Sequence, residues 1–389
     1  MAGIATDITV ALGLVGRTLR RRLHGEVEPA PDLDAFRARF DEALAGVERE
    51  HVARCEWITL PATEPPWRDT GIDLQAGHEV TIFCAGRVYA SKALDIWVTP
   101  KNQIWTRVGA TGSVRSSSRA SQSFEAEETG RLFLGNCFPN DWSTREGERL
   151  QDDRVYRGVS GETRIAIVEW NGSARDGLEA LVAAGDPDAL ASGELERLSG
   201  AGRPPEGWHY LWHLGEGEMY RAHGAGAIDC EVEGDVGILQ KPVDFPFAPG
   251  CRLEWDWQVD ALPGTAREDT LPSHDYLSIA VEFDHGWDIT YYWSTALEPE
   301  TGYVCPLPNW KHREYHVVVR KGEAGLGALQ SEGRDLYVDH AEHLAAHAPE
   351  AKRIVGIWLI ANSVFARQRG ACRFENIRLV SGDRELKVL

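Results

Sequence analysis

The chain lacks the short motifs that announce nucleophile or phosphate chemistry. There is no G-x-S-x-G elbow, no P-loop, no glycine pattern opening a dinucleotide-binding helix and no kinase signature. That disfavours serine-nucleophile hydrolysis, nucleotide-dependent transfer and redox-cofactor chemistry. Positive charge is scarce: 41 Lys and Arg face 60 Asp and Glu, for a formal net charge of −19. Such a surface repels nucleic acid and anionic lipid, so neither is expected as a partner. The one basic run, "RTLRRRLHGE" at 17–26, is followed by acidic sequence. The seven cysteines are odd in number and never spaced C-x-x-C. Buried reduced thiols in a cytoplasmic protein are the expectation, with no disulfide framework and no structural zinc. The N-terminal apolar stretch "GIATDITVALGLVG" is broken by Asp7 and is followed, not preceded, by basic residues. It is too short to span a bilayer and reads as an amphipathic helix that docks on the body, pairs two subunits into a homo-oligomer, or touches a membrane surface.

What remains is a chain of 389 residues, 43% hydrophobic, enough for two domains with separate cores. Residues 1–54 read as helices, over 5–24 and over 33–53, where Leu33, Phe36, Phe40, Leu44 and Val47 recur at helical spacing behind an Asp32 cap. From 55 to 172 short alternating segments such as "GIDLQAGHEVTIFCAG" and "ETRIAIVEWNG" predict a β-sandwich. The Ala- and Leu-rich stretch 173–206 ends in Gly and Pro and reads as a helical bridge. From 207 to 389 short strands resume, interrupted by a helix over 337–347, and predict a second sandwich of jelly-roll type. The fold class expected is mainly β: two β-sandwich domains with an N-terminal helical segment and a helical bridge.

Two resemblances add to this. "WRDTGIDLQAGHEVTIFCAGRV", the turn "VGATGS" and "GRLFLGNCFPNDW" resemble the sandwich of LecA-like, galactose-binding lectins. The resemblance implies a calcium ion beside the sugar, held by an Asn-Asp pair after the "RLFLGN" strand and by side chains near a later "N-S-G". Asn136 matches, but Cys137 stands in the acidic position and "RGV" precedes Ser160-Gly161. A neutral thiol is a poor ligand for a hard cation, so the calcium pattern is broken and no cofactor is expected. Asn140, Asp141, Asp152 and Asp153 are the local polar groups that a rebuilt site would use. Over 207–382, "LEWDWQVDALP", "HDYLSIAVEFD", "ITYYWS" and "VGIWLIANS…ACRFENIRL" resemble the family called domain of unknown function 3047, which implies a sandwich and little chemistry.

The candidate chemistry lies on two strands. "LEWDWQVD" (253–260) alternates Leu253, Trp255, Trp257 and Val259 with Glu254, Asp256 and Gln258; "YLSIAVEFD" (276–284) alternates Leu277, Ile279, Val281 and Phe283 with Tyr276, Ser278 and Glu282, and ends at Asp284. Read as neighbours, they set Glu254, Asp256, Glu282 and Asp284 on one face as candidate acid/base groups. Tyr276, Gln258, Tyr292, Trp287, Trp310, Asn362 and Arg367 are the candidate ligand contacts, since aromatics beside carboxylates suit a sugar pocket. Trp255, Trp257 and Trp293 are further stacking candidates, although parity puts Trp255 and Trp257 with the apolar face. The histidine pairs His209/His213 and His312/His316 each share a strand face, and His340, His343 and His347 share a helix face that reads as solvated; none is assigned a metal. The leading reading is a cytoplasmic protein binding a carbohydrate or hydroxylated small molecule on the C-terminal sandwich. The alternatives are a cofactor-independent enzyme, a glycoside hydrolase, lyase or cyclase using the same carboxylates, and an assembly protein.

Overall fold

A computed structural model of the chain describes residues 28–116, 119–200, 203–224 and 226–389, with residues 12, 13, 15, 16, 18, 19 and 23 singly. The N-terminal amphipathic stretch, with its docking and pairing readings, lies largely outside the described residues. The protein is mainly β, four sheets forming two sandwiches with few helices. Contacts divide it into two units, one built on Gly217–Leu389 with the stretch ending at Leu211, the other on the chain before residue 200 with Trp212–Glu216. Among the described residues no helix is long and apolar enough to cross a membrane.

In the N-terminal unit, the helix Leu33–Ala45 opens where Asp32 accepts from the backbone N–H groups of Asp34 and Ala35, and it buries Phe36 and Phe40. It stops well short of residue 53. The chain turns at Gly46 and enters the strand Val52–Pro61, whose long ladder with Ser160–Trp170 overrides the weak helical spacing of "VEREHV". Sheet I runs in the order Val52–Pro61, Ser160–Trp170, Glu79–Ser91 and Ile96–Val98, with Ser121–Glu125 also paired to Glu79–Ser91. Sheet II is ordered Arg68–Leu74, Gly130–Asn136, Ile104–Val108 and Arg115–Ser116. Leu60, Val80, Ile82 and Ile165 of the first meet Ile72, Leu132, Leu134 and Ile104 of the second.

The opposite face of sheet I is buried as well. Phe83, Ala166, Val168 and Trp170 meet Phe40, Leu178, Leu181 and Ala191 from the helices Leu33–Ala45, Ala174–Ala184 and Leu190–Leu198. Burial on both faces is why "VTIFCAG" and "IAIVEW" read as unbroken apolar runs. The segment 173–206, expected as a bridge, supplies two of these covering helices.

In the C-terminal unit, sheet III runs His209–Tyr210, Val236–Pro246, Arg353–Asn362, Tyr276–Phe283, Asp288–Ser294, Glu314–Lys321, Gly302–Val304. Sheet IV runs Tyr220–His223, Ala227–Val232, Gly370–Ser381, Arg252–Ala261, Gln330–Asp335, with Arg384–Lys387 paired to Gly370–Ser381. The strand Asp288–Ser294 pairs in parallel with Glu314–Lys321. The core between the sheets takes Leu253, Trp255, Trp257 and Val259 from sheet IV and Leu277, Ile279, Val281, Phe283, Ile289, Tyr291 and Trp293 from sheet III.

This corrects two expectations. The strands holding "LEWDWQVD" and "YLSIAVEFD" are not neighbours; they lie in opposite sheets, each turning its apolar parity toward the other. Glu254 and Asp256 therefore stand on a different outer face from Glu282. Trp255, Trp257 and Trp293 are core side chains with no face left for a ligand.

Candidate functional site

The parity that sends Leu277, Ile279 and Val281 into the core leaves Tyr276, Ser278 and Glu282 on the outer face of sheet III. The next strand adds Asp288, Thr290, Tyr292 and Ser294, the parallel one Glu314 and His316, and Arg353–Asn362 adds Trp358 and Asn362. An outer face of such composition would ordinarily be wet. Here Ser278, Thr290, Ser294 and His316 are all 0% exposed. The connections over 262–275 and 295–313 bring Glu268, His274, Tyr303, Cys305 and Trp310 to this region, all of them buried. His274 lies against Tyr276 with ring centroids 4.7 Å apart, and Tyr303 stacks on His316 at 5.1 Å.

Hydrogen bonds join these groups into one network. The Glu314 carboxylate accepts from the Tyr276 hydroxyl at 3.2 Å and from Thr290 at 3.3 Å, while Thr290 also lies 2.9 Å from Asp288. One hydroxyl proton serves only one of those two carboxyls at a time. Glu268 accepts from Ser294 at 2.6 Å and from the Thr295 backbone N–H at 2.7 Å. Tyr303 donates to Tyr292 at 3.0 Å, and the Asn362 amide donates to the His274 carbonyl at 2.8 Å. Several atoms are left over: Ser278 Oγ, Asp288 Oδ2 and both ring nitrogens of His316 have no hydrogen-bond partner among the described residues. Native interiors rarely leave such groups unpaired, because each costs roughly 1–3 kcal/mol.

Burial also separates the acids. It raises Glu268 against the pull of the Ser294 and Thr295 donors. Burial, and then the Glu314 charge, hold Asp288 well above the usual carboxylate range. Burial alone would raise Glu314 too, but His316, His274 and Cys305 beside it together outweigh burial and hold that carboxylate below the usual range. His274 is pushed down to about 3, first by burial and then by His316, and is a neutral imidazole at physiological pH.

The expected site residues divide between the two sheets. Tyr276, Tyr292 and Asn362 join the buried network. Glu282 lies at its rim, 3.6 Å from Arg313, and the guanidinium lies 5.2 Å from the ring centroids of both Trp310 and Trp358. Glu254 pairs with Arg378 and Arg252, Asp256 accepts from Asn376, and Gln258 donates to Asp260, all on the outer face of sheet IV. Asp284 accepts from the Lys352 backbone, Trp287 stacks on His347, and Arg367 turns with positive φ in the loop after Asn362. The 340/343/347 helix face is not a simple solvated one. His340 packs on Phe247 and Phe283, and His343 stacks on Tyr315. His312 lies in an exposed turn, apart from buried His316. The sequence reading left out Glu268, His274, Asp288, Cys305 and Glu314. Alternation in "DITYYWS" and "EYHVVV" was the available signal for Asp288 and Glu314.

The N-terminal sandwich offers an open cleft of about 680 Å³ lined by Trp67, Arg107, Arg149, Asp152 and Asp153 among others. Its recognition groups are already engaged: Trp67 stacks on Trp142, Arg107 lies on the Trp67 ring, and Arg149 pairs with Asp153. Asn136, the residue matching the lectin calcium pattern, uses its amide on the Pro61 and Glu64 carbonyls and its oxygen on Gln103. Asn140 is bound to Gln151, and Asp152 caps a short helical turn.

A family model described as "Protein of unknown function (DUF3047)" matches residues 214–378, the region for which the sequence suggested that family. No curated protein matches the chain. Among solved structures, the "EclA N-terminal domain; PllA-like lectin" is 14% identical, covers 31% of this chain and 99% of its own, and has a TM-score of 0.24. The xyloglucanase domain of NopAA, a type three effector from Sinorhizobium fredii in complex with cellobiose, is 6% identical over 42% of this chain and 86% of its own, TM-score 0.29. A family 11 carbohydrate-binding module from Clostridium thermocellum, in complex with a mixed-linked tetrasaccharide, is 10% identical over 46% and 92%, TM-score 0.22. The two-sandwich assignment rests on the four sheets, not on these likenesses.

Proposed function

We propose that the protein binds a carbohydrate or similarly hydroxylated small molecule through the outer face of sheet III. The observation that carries this reading is a sheet face that buries hydroxyls, carboxyls and imidazoles instead of aliphatic groups, with Ser278 Oγ and Asp288 Oδ2 left without a hydrogen-bond partner among the described residues. A polyol hydroxyl both donates and accepts, so it satisfies a serine and a carboxyl in one step; an apolar ligand satisfies neither. Glu282, Arg313, Trp310 and Trp358 form an acidic and aromatic rim beside these groups, which supports the same ligand class. The connections 262–275 and 295–313 cover the face, so one of them yields for the ligand to reach it.

The test is calorimetry of the full chain against a panel of neutral oligosaccharides and polyols. A binder is expected, and Ser278→Ala and Asp288→Asn each weaken it roughly three- to tenfold, the worth of one hydrogen bond, while circular dichroism is unchanged. A panel without a binder, or folded variants that bind like the parent, rejects the reading.

A further inference from the structure

We propose that His274, Cys305, Glu314 and His316 bind one divalent transition-metal ion as a closed, four-ligand, zinc-type centre. This goes beyond the ligand-binding reading and does not depend on it. It runs against the expectation, drawn from scattered cysteines without C-x-x-C spacing, of no structural zinc. All four side chains are buried, and their donor atoms lie within 4.8 Å of one another. Two imidazole nitrogens, a thiolate sulfur and a carboxylate oxygen are a borderline-to-soft set that suits zinc and not calcium.

The His316–Glu314 spacing matches coordination better than direct pairing, and the His274–Cys305 spacing fits a shared ion as well as a thiol–imidazole hydrogen bond. His316 Nε2 and Glu314 Oε2 are 3.5 Å apart, as are His274 Nε2 and Cys305 Sγ. A nitrogen–carboxylate hydrogen bond would close to ~2.8 Å. The edge of a tetrahedron drawn with zinc bonds of ~2.0–2.3 Å is roughly 3.3–3.8 Å. His316 supplies an independent observation. It is fully buried, and neither ring nitrogen has a hydrogen-bond partner among the described residues. A metal ion is the partner that such an imidazole lacks.

Surrounding groups already orient the donors. The Nδ1–H of His274 donates to the Glu268 carbonyl at 2.6 Å, which leaves Nε2 with its lone pair on the Cys305 side. Tyr276 and Thr290 both reach Glu314 Oε1, so Oε2 is the oxygen that faces His316. Hydrogen bonds of this kind fix tautomer and carboxylate orientation in metal sites. The ligands come from three places: the connection leading into Tyr276–Phe283, the chain just after Gly302–Val304, and alternate positions on Glu314–Lys321. Four protein donors complete the shell and leave no open position, so the ion anchors each covering connection to sheet III at a single point, His274 or Cys305, leaving the rest of its length unheld, and has no substrate-activating role.

The experiment uses the full chain, free of any sugar, purified without chelator and then exchanged into cobalt. About one zinc per chain by elemental analysis is expected, and the cobalt form shows thiolate-to-metal charge transfer with tetrahedral visible bands. Cys305→Ser removes the charge-transfer band, His316→Ala abolishes stoichiometric binding, and Tyr276→Phe, which keeps every ligand, weakens affinity roughly 10- to 100-fold. The spectrum of the unaltered chain decides the matter even if a variant fails to fold. A folded chain without the charge-transfer band, or with metal equally retained by folded His316→Ala, overturns the proposal. Because the readout needs no sugar, its failure is separate from failure of the ligand-binding reading.

Discussion

His285 and His340 meet nitrogen to nitrogen at 3.0 Å, so one ring donates and the other accepts. The Trp287 backbone N–H donates to His285 Nδ1, so His285 is the donor, and a proton added to either ring breaks one of these two hydrogen bonds. Burial lowers both, with mutual repulsion added at His340 and Asp284 opposing at each. Phe247 and Phe283 pack against the same ring of His340 and offer no compensating charge. Both folded values thus lie below the ordinary ~6.5, and the sign follows: the stability contributed is complete above pH ~6.5 and drains away as the pH falls below it. The melting temperature should decline between about pH 7 and pH 5, before most carboxylates titrate. His340→Leu should flatten that decline; a slope unchanged in the variant would show that the pair is not its source.

At the level of elements, the helix Ala174–Ala184 approaches sheet I so closely that position 177 has no room for a methyl group. A Cβ there would sit 2.2 Å from Cε3 of Trp170, whose indole nitrogen is bonded to Thr81. Gly177→Ala should cost about 1–3 kcal/mol in denaturant unfolding, despite the better helix propensity of alanine. Alternation made the strands legible, and in "LEWDWQVD" it also told which side is core. It could not tell which sheet a strand joins, because parity fixes faces and not partners; hence Glu254 and Glu282 were set on one surface when they occupy two. The helix over 33–53 was overrun because local spacing is a weak prior against a long strand ladder. Of the candidate site, Tyr276, Tyr292 and Asn362 were found through their strands. Glu314 and His316 were legible only as same-face neighbours. His274 and Cys305 lie in aperiodic connections, where sequence holds no sign of the partner across the fold.

For the whole molecule, the contact pattern gives two units with separate apolar cores, one around Trp257 and Phe283, the other in two layers on either face of sheet I, around Ile82 and around Phe83. Calorimetry should therefore resolve two transitions and not one. Trp257→Ala should lower one and Phe40→Ala the other, each by about 3–5 kcal/mol. A single transition that both variants shift equally would contradict independent cores. The order of strands in the C-terminal unit carries a further consequence for synthesis. Arg353–Asn362, between Val236–Pro246 and Tyr276–Phe283, and Gly370–Ser381, between Ala227–Val232 and Arg252–Ala261, are interior strands made after both of their neighbours. Until they emerge, the strands flanking each gap present unpaired edges with nothing to pair against. The unit therefore closes neither sheet until residues 353–381 have been synthesised, and the nascent chain is open to edge-to-edge pairing until then.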